Sequence, residues 1–124
     1  MGGPLHRRLV LVVEDEPLVA LDVVQSLESA GARVITARTL AAALKCAEDP
    51  DLSAAVLDHG LRDTDTSAVC TKLKERNIPF VLYSGYSQIE GDCKDGELVQ
   101  KPASPDLLVA TLVGVVIGHR PRLN

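Results

Sequence analysis

The sequence predicts an α/β fold built on a doubly wound, five-stranded parallel sheet, and three observations carry that expectation. Five short apolar runs alternate with segments of helical periodicity. Most of the runs are continuously apolar, as strands covered by helices on both faces must be. Directly after four of the five runs stand polar residues, at the edge where a parallel sheet gathers its strand carboxyl ends.

The first strand is read at 8–13, around LVLVV. Pro17 suits a first helical turn, Ala20, Val23, Val24 and Leu27 share one helix face, and Gly31 supplies a stop. The second strand covers 32–36. The helix from Thr39 to Glu48 then lines up Leu40, Ala43, Leu44 and Ala47 before Pro50 closes it. Strand three, 53–58, runs through AAVL into Asp58, and Ser67 to Arg76 follows with Val69, Cys70 and Leu73 at helical spacing. Strand four is read at 79–84, where FVLY precedes Ser84. The stretch from Ser84 to Lys101 contains IEGDCKDGE, so rich in glycine and charge that the fourth helix is expected to be short, distorted or irregular. Strand five is ELVQ at 97–100. After Pro105, Leu107 to Ile117 forms the last helix, its end weakened by Gly114 and β-branched neighbours. Right-handed crossovers turn this order into a (βα)5, flavodoxin-like sheet.

Length and composition narrow the function. With 124 residues, 46% of them hydrophobic, one Phe, two Tyr and no Trp, the chain is expected to form a single domain over 1–124 with an aliphatic core at about 8–118 and no effector domain. Thirteen basic against seventeen acidic residues give a net charge of −4 without a basic block, which argues against nucleic acid or a membrane surface as partner. Leu107 to Gly118 is too short to cross a bilayer. The N-terminus MGGPLH has no apolar signal region, and His6 stands where a myristoylation signal needs Ser or Thr, so a cytoplasmic location is expected. Cys46, Cys70 and Cys93 are odd in number and show no metal-ligand spacing; they read as reduced thiols, with Cys93 a candidate for exposure.

The polar strand ends define a chemistry. Glu14, Asp15 and Asp58 would bring three carboxylates into one cleft, where repulsion demands a cation; hard oxygen donors in an open site favour Mg²⁺. An Asp58 oxygen could attack phosphorus to give an acyl phosphate on the protein. Mg²⁺ and Lys101 would neutralise the phosphoryl oxygens, and Ser84 would donate a hydroxyl hydrogen bond to one of them, with Gly85 giving its backbone room. Pro102 can accept a cis peptide bond, which would help to aim Lys101. Singly, each piece has an ordinary reading: an EDE triplet in a solvated loop, a capping Asp, a Lys-Pro turn. Their joint occurrence in order after strands one, three, four and five points to a functional site.

On these residues, from about Leu9 to Ile117, the sequence resembles the receiver domain of two-component response regulators. The resemblance implies that Asp58 is the phospho-acceptor, that Asp15 binds Mg²⁺ directly and Glu14 through water, that the Gly60 carbonyl completes the metal ligands, and that Ser84 and Lys101 are the family's hydroxyl and lysine. It further implies a phosphorelay, with a histidine kinase or histidine phosphotransfer protein as donor, output through altered protein contacts, and a phosphoprotein with self-phosphorylation and autodephosphorylation chemistry rather than a turnover enzyme. The kinase, the downstream partner and the choice between monomer and weak dimer are open.

Departures from the family pattern are specific. The aromatic usual three positions before the lysine is Leu98. The segment LYSGYSQ resembles receivers with a Phe-Ala-Thr-Gly-Tyr-like motif, many of them single-domain, so Ser84 and Tyr86 are the switch candidates, with Tyr83 an alternative to Tyr86. Arg62 and Thr66 replace a familiar Pro and Gly in the loop after Asp58. Two other functions compete. One is a receiver-like binding module that works without phosphorylation. The other is a haloacid-dehalogenase-like phosphatase, suggested by DTDT at Asp63 to Thr66, although in that family the first Asp directly follows a strand.

Overall fold

In a computed structural model, which describes residues 2–59, 66–85, 89 and 91–118, five parallel strands form one sheet. They are β1 (Leu9–Val13), β2 (Arg33–Ala37), β3 (Leu52–Asp58), β4 (Phe80–Ser84) and β5 (Glu97–Gln100), in the order β2-β1-β3-β4-β5. The helices are α1 (Pro17–Ser29), α2 (Leu40–Cys46), α3 (Ser67–Glu75) and α4 (Pro105–Gly118). Where a fourth βα helix would stand there is a single 3₁₀ turn, Gly91–Asp95, consistent with the expected irregular element. Glycine and charge leave this stretch little apolar surface to bury, and among the described residues it forms no longer helix.

Strand alternation assigns each side chain to a face. Leu9, Leu11, Val13, Ala55, Leu57, Phe80 and Leu82 pack with Ala43, Ala47, Val69, Cys70 and Leu73 of the α2/α3 side. Val10, Val12, Ala54, Val56, Val81 and Val99 pack with Val23, Leu27, Leu108, Leu112 and Val116 of the α1/α4 side. A register shift between Leu9 and Val10 brings Leu52 onto the first face despite its even number.

Local signals set the element ends. Pro17 opens α1, and Gly31, at φ 98°, follows it while Ala32 N–H reaches back to the Leu27 carbonyl. Thr39 accepts the Ala42 N–H at 3.1 Å and caps α2, which ends at Cys46 rather than Glu48. Arg76 ties the two helix ends on that face together, donating to the carbonyls of Ala47 and Asp49 at 2.6 and 2.8 Å. Ser104 accepts the Leu107 N–H at 3.1 Å before α4, so Pro105, not Leu107, is its first residue, and the helix continues past Gly114 to Gly118. Sequence alone did not anticipate the N-terminal segment, whose Leu5 is fully buried against the α1/α4 core. No helix among the described residues is long and apolar enough to cross a membrane.

Two glycines make opposite demands. A Cβ at Gly96 would lie 2.4 Å from the buried Phe80 ring and 3.0 Å from the Phe80 carbonyl, whereas one at Gly114 meets nothing within 4 Å. Gly96→Ala is expected to lose about 1–3 kcal/mol of stability through overpacking. Gly114→Ala, in an exposed helix interior, should gain roughly 0.5–1 kcal/mol. Urea unfolding of both variants checks this pair of signs.

Candidate phosphoryl-acceptor site

The sheet reverses its order of winding at β1, which has β2 on one side and β3 on the other, so the loops leaving β1 and β3 diverge and open a crevice between them. The same alternation that builds the α1/α4 core continues past it. Glu14 follows Val10 and Val12, Asp58 follows Ala54 and Val56, Tyr83 follows Val81, and Lys101 follows Val99. Four polar residues therefore leave the sheet on one face at its carboxyl edge.

Glu14, Asp15 and Asp58 each offer a carboxylate oxygen, and the three oxygens lie within 4.8 Å of one another. Asp58 is only 4% exposed and Glu14 6%, while Asp15 is half-buried. The Lys101 ammonium donates to Asp58 Oδ1 at 2.8 Å across 43 residues of sequence. It sits 4.9 Å from the centre of the Tyr83 ring, so a π-face flanks the cation on one side and a carboxylate on another. The Lys101-Pro102 peptide is cis.

The electrostatics follow from this packing. Burial pushes Glu14 up to about 7, and its hydrogen bond with Asp58 and that group's charge add to the rise. The Glu16 N–H, which donates to Glu14 Oε2 at 3.1 Å, and the Lys101 charge work the other way. Burial by itself would lower Lys101; the hydrogen bond to Asp58 and the charges of Asp58 and Glu14 outweigh it, so the ammonium titrates above its ordinary value. Among the described residues, three acidic groups with one lysine leave an excess of negative charge in a partly dry cleft. Hard oxygen donors so arranged suit a small divalent cation.

Ser84 ends β4, is fully buried, and its carbonyl accepts the Lys101 N–H at 2.7 Å. Ser84 follows Tyr83, which pairs with Asp58 in the β3–β4 register. All the sequence-derived site residues that can be seen thus gather at one edge: Glu14, Asp15, Asp58, Ser84 and Lys101. Gly60, Arg62, Asp63 and Tyr86 lie outside the described residues. β3 ends at Asp58, the residue that meets Lys101.

Two features correct or extend the sequence reading. Cys93 is fully buried, and with Cys70 it forms a disulfide rather than a pair of thiols; Cys46 is the free cysteine. Spacing could not reveal this pairing, because it depends on the 3₁₀ turn packing against α3. The second feature is His59, directly after Asp58, whose Nδ1 lies 2.9 Å from Thr66 Oγ1.

Comparison with known proteins agrees with this geometry. The profile of the response regulator receiver domain matches residues 10–112. Among solved structures, SdrG from Sphingomonas melonis Fr1 is 34% identical, with 89% of this chain and 96% of that one covered and a TM-score of 0.74. The response regulator PhyR from Brucella abortus is 26% identical with a TM-score of 0.73; the match covers 92% of this chain but only 51% of PhyR. A response regulator from Burkholderia pseudomallei, with a phosphorylated aspartic acid, a calcium ion and citrate, is 24% identical over 85% of this chain and 66% of its own, at a TM-score of 0.72. No curated protein sequence matches the chain.

The raised Glu14 gives a pH signature. Its folded value near 7 exceeds the ordinary 4.5, so the folded state binds the extra proton, and the associated stability is full below about pH 4.5 and lost as pH rises through 7. In the presence of a chelator, Glu14→Gln is expected to be more stable than wild type at pH 8 by roughly 1–3 kcal/mol and nearly equal to it at pH 5. Urea unfolding at the two pH values measures the difference.

Proposed function

Because the chain belongs to the response regulator receiver domain family, whose general function is to accept a phosphoryl group from a kinase, we propose that Asp58 is its phospho-acceptor in a two-component phosphorelay. The observation that carries the assignment is the 2.8 Å contact between Lys101 and a buried Asp58, beside two further carboxylates. A buried aspartate in direct contact with an ammonium and adjoining acidic groups is costly to maintain for structure alone. As an anchored nucleophile it has a use.

An Asp58 carboxylate oxygen forms the new bond to phosphorus while the bond to the donor's imidazole nitrogen breaks, leaving an acyl phosphate on the protein and a free histidine on the kinase or phosphotransfer protein. Receiver domains bind Mg²⁺ at an acidic pocket; Glu14, Asp15 and Asp58 would hold it here, and it would offset charge on the phosphoryl oxygens. Gly60 is the proposed carbonyl ligand. Lys101 pairs with one phosphoryl oxygen, and the small Ser84 hydroxyl donates to another. The phosphorylated aspartic acid of the Burkholderia pseudomallei protein is the state this reading gives to Asp58.

The chain is in this view a stoichiometric phospho-acceptor with its own dephosphorylation chemistry, not a turnover enzyme. Output passes through changed protein contacts, in the cytoplasm, from a monomer or weak dimer. With Leu98 in place of the usual aromatic in β5, Ser84 and Tyr86 are the proposed switch residues.

Acetyl phosphate with Mg²⁺ is expected to add one phosphoryl group by intact-mass measurement, and Asp58→Asn or a chelator to abolish it. Absence of labelling in wild type, both with acetyl phosphate and with a panel of phosphorylated histidine kinases, would sink the assignment. Lys101→Ala should slow labelling on the order of a hundredfold. Tyr83→Leu, which removes the aromatic face beside Lys101, should slow it about two- to fivefold, and Tyr83→Phe should restore it; initial labelling rates distinguish the three.

A further inference from the structure

The 3₁₀ turn Gly91–Asp95 is held to α3 in two ways. One is ionic: Lys74 reaches Asp92 at 3.1 Å and Asp95 at 2.9 Å, and Thr71 donates to Asp92 at 2.7 Å. These groups are a third or more exposed, where such contacts contribute little. The other is covalent, between Cys70 of α3 and Cys93 of the turn, both fully buried and 5.0 Å apart at Cα. The loop this bond closes contains β4 and Ser84. Gly91, at φ 67°, opens the turn in a conformation that favours glycine.

The same pair touches the acceptor side. Cys93 Sγ lies 3.9 Å from Thr66 Oγ1, a buried hydroxyl that is also 2.9 Å from His59 Nδ1, and His59 follows Asp58 directly. A thiol at Cys93 brings a hydrogen that can be donated to Thr66, leaving the threonine hydroxyl hydrogen for His59. A disulfide sulfur has no hydrogen and can only accept. The two oxidation states therefore present different donor sets to the residue beside Asp58.

We propose that Cys70 and Cys93 are a reversible redox modification site whose oxidation state controls how readily Asp58 is phosphorylated. The oxidant class is a low-molecular-weight disulfide. One cysteine thiolate attacks it, forming a mixed disulfide and releasing one small thiol, which takes up the cysteine's proton; the second cysteine then displaces the other small thiol. The cysteine pair loses two electrons and two protons, and the small disulfide becomes two thiols. Access comes from opening of the turn, since the ionic contacts alone hold it weakly. The closed disulfide fastens the turn against α3 and takes the Cys93 hydrogen out of the Thr66–His59 contact beside Asp58.

The control of labelling rests on Asp58 being the phospho-acceptor, whereas the chemistry of the cysteine pair does not. The test takes the full chain through a series of small-thiol to small-disulfide ratios. Alkylation and intact mass should show two cysteines converting together and reversibly, with Cys46 alkylated throughout. The His59 Cε1–H resonance, assigned with His59→Gln, should shift between the two forms. Acetyl phosphate labelling of Asp58 should be slower in the oxidised form by about fivefold or more, the lower end of coupling between distinct sites. Cys70→Ala/Cys93→Ala, or Cys70→Ser alone should the double variant fold poorly, should label at the reduced rate at every ratio, and Cys46→Ala should switch as wild type does. A pair that neither opens nor re-forms in the native protein overturns the proposal, as does labelling at equal rates in the two forms. Failure of both forms to label is a failure of the phospho-acceptor reading, and the cysteine pair then stands or falls on reversible alkylation and the His59 shift.

Discussion

The contact between the Lys101 ammonium and Asp58 Oδ1, at 2.8 Å, is the constraint on which the candidate site depends. It spans from the end of β5 to the end of β3 across β4, so it fixes the carboxyl edge of three strands at once. Asp58 is buried at the end of a strand whose other residues are almost entirely apolar, and an ionised carboxylate there requires a charged partner. Lys101 meets that requirement while keeping part of its own length in solvent, and the Tyr83 ring flanks it. The main-chain bond from Lys101 N–H to the Ser84 carbonyl, at 2.7 Å, holds the lysine backbone in the β4 register as its side chain reaches past to β3.

Compensation of charge is incomplete, and the incompleteness has chemical content. Burial first, and then the hydrogen bond and charge of Asp58, let Glu14 retain its proton up to about pH 7, and among the described residues one ammonium contacts Asp58. A site whose acidic groups are this poorly neutralised is poised for a divalent cation, and with the cation for the oxygens of a phosphoryl group. The same shortage of positive charge would be a defect in a purely structural ion pair. In a receiver domain it is the reason that the acidic pocket suits a cation.

The side of the fold farther from α1 is built differently. Among the described residues after β4 the helical element is a 3₁₀ turn, since IEGDCKDGE offers mainly charge and glycine to the core, and Cys93 is the one fully buried side chain of that turn. Its bond to Cys70 replaces the apolar packing that a full helix would have made against α3. A covalent attachment is stronger than such packing but depends on oxidation state, which links a redox-dependent element through Thr66 and His59 to the neighbourhood of Asp58.

The five-stranded sheet, its strand ends and the site residues were legible in the sequence because each is a local property. Continuous apolar runs report strands covered on both faces, glycine and proline report helix ends, and period-two alternation carries the core pattern of Val10 and Val12 into Glu14, and of Ala54 and Val56 into Asp58. The element bounds differ by one residue at several strand ends and by up to two at helix ends, where caps such as Ser104 and Thr39 decide the boundary. The pairings that tune the site were not legible. Lys101 meets Asp58 across 43 residues and Cys70 meets Cys93 across 23. Those distances are set by strand order and by the packing of the turn on α3. Cys70 and Cys93 accordingly look like free thiols in sequence, and the protonation of Glu14 is invisible there, since burial and the nearness of Asp58 exist only once β1 and β3 lie side by side. Sequence by itself determined which groups stand at the edge of the sheet; tertiary structure decided which of them touch, because contact and desolvation are properties of the packed chain and not of any segment within it.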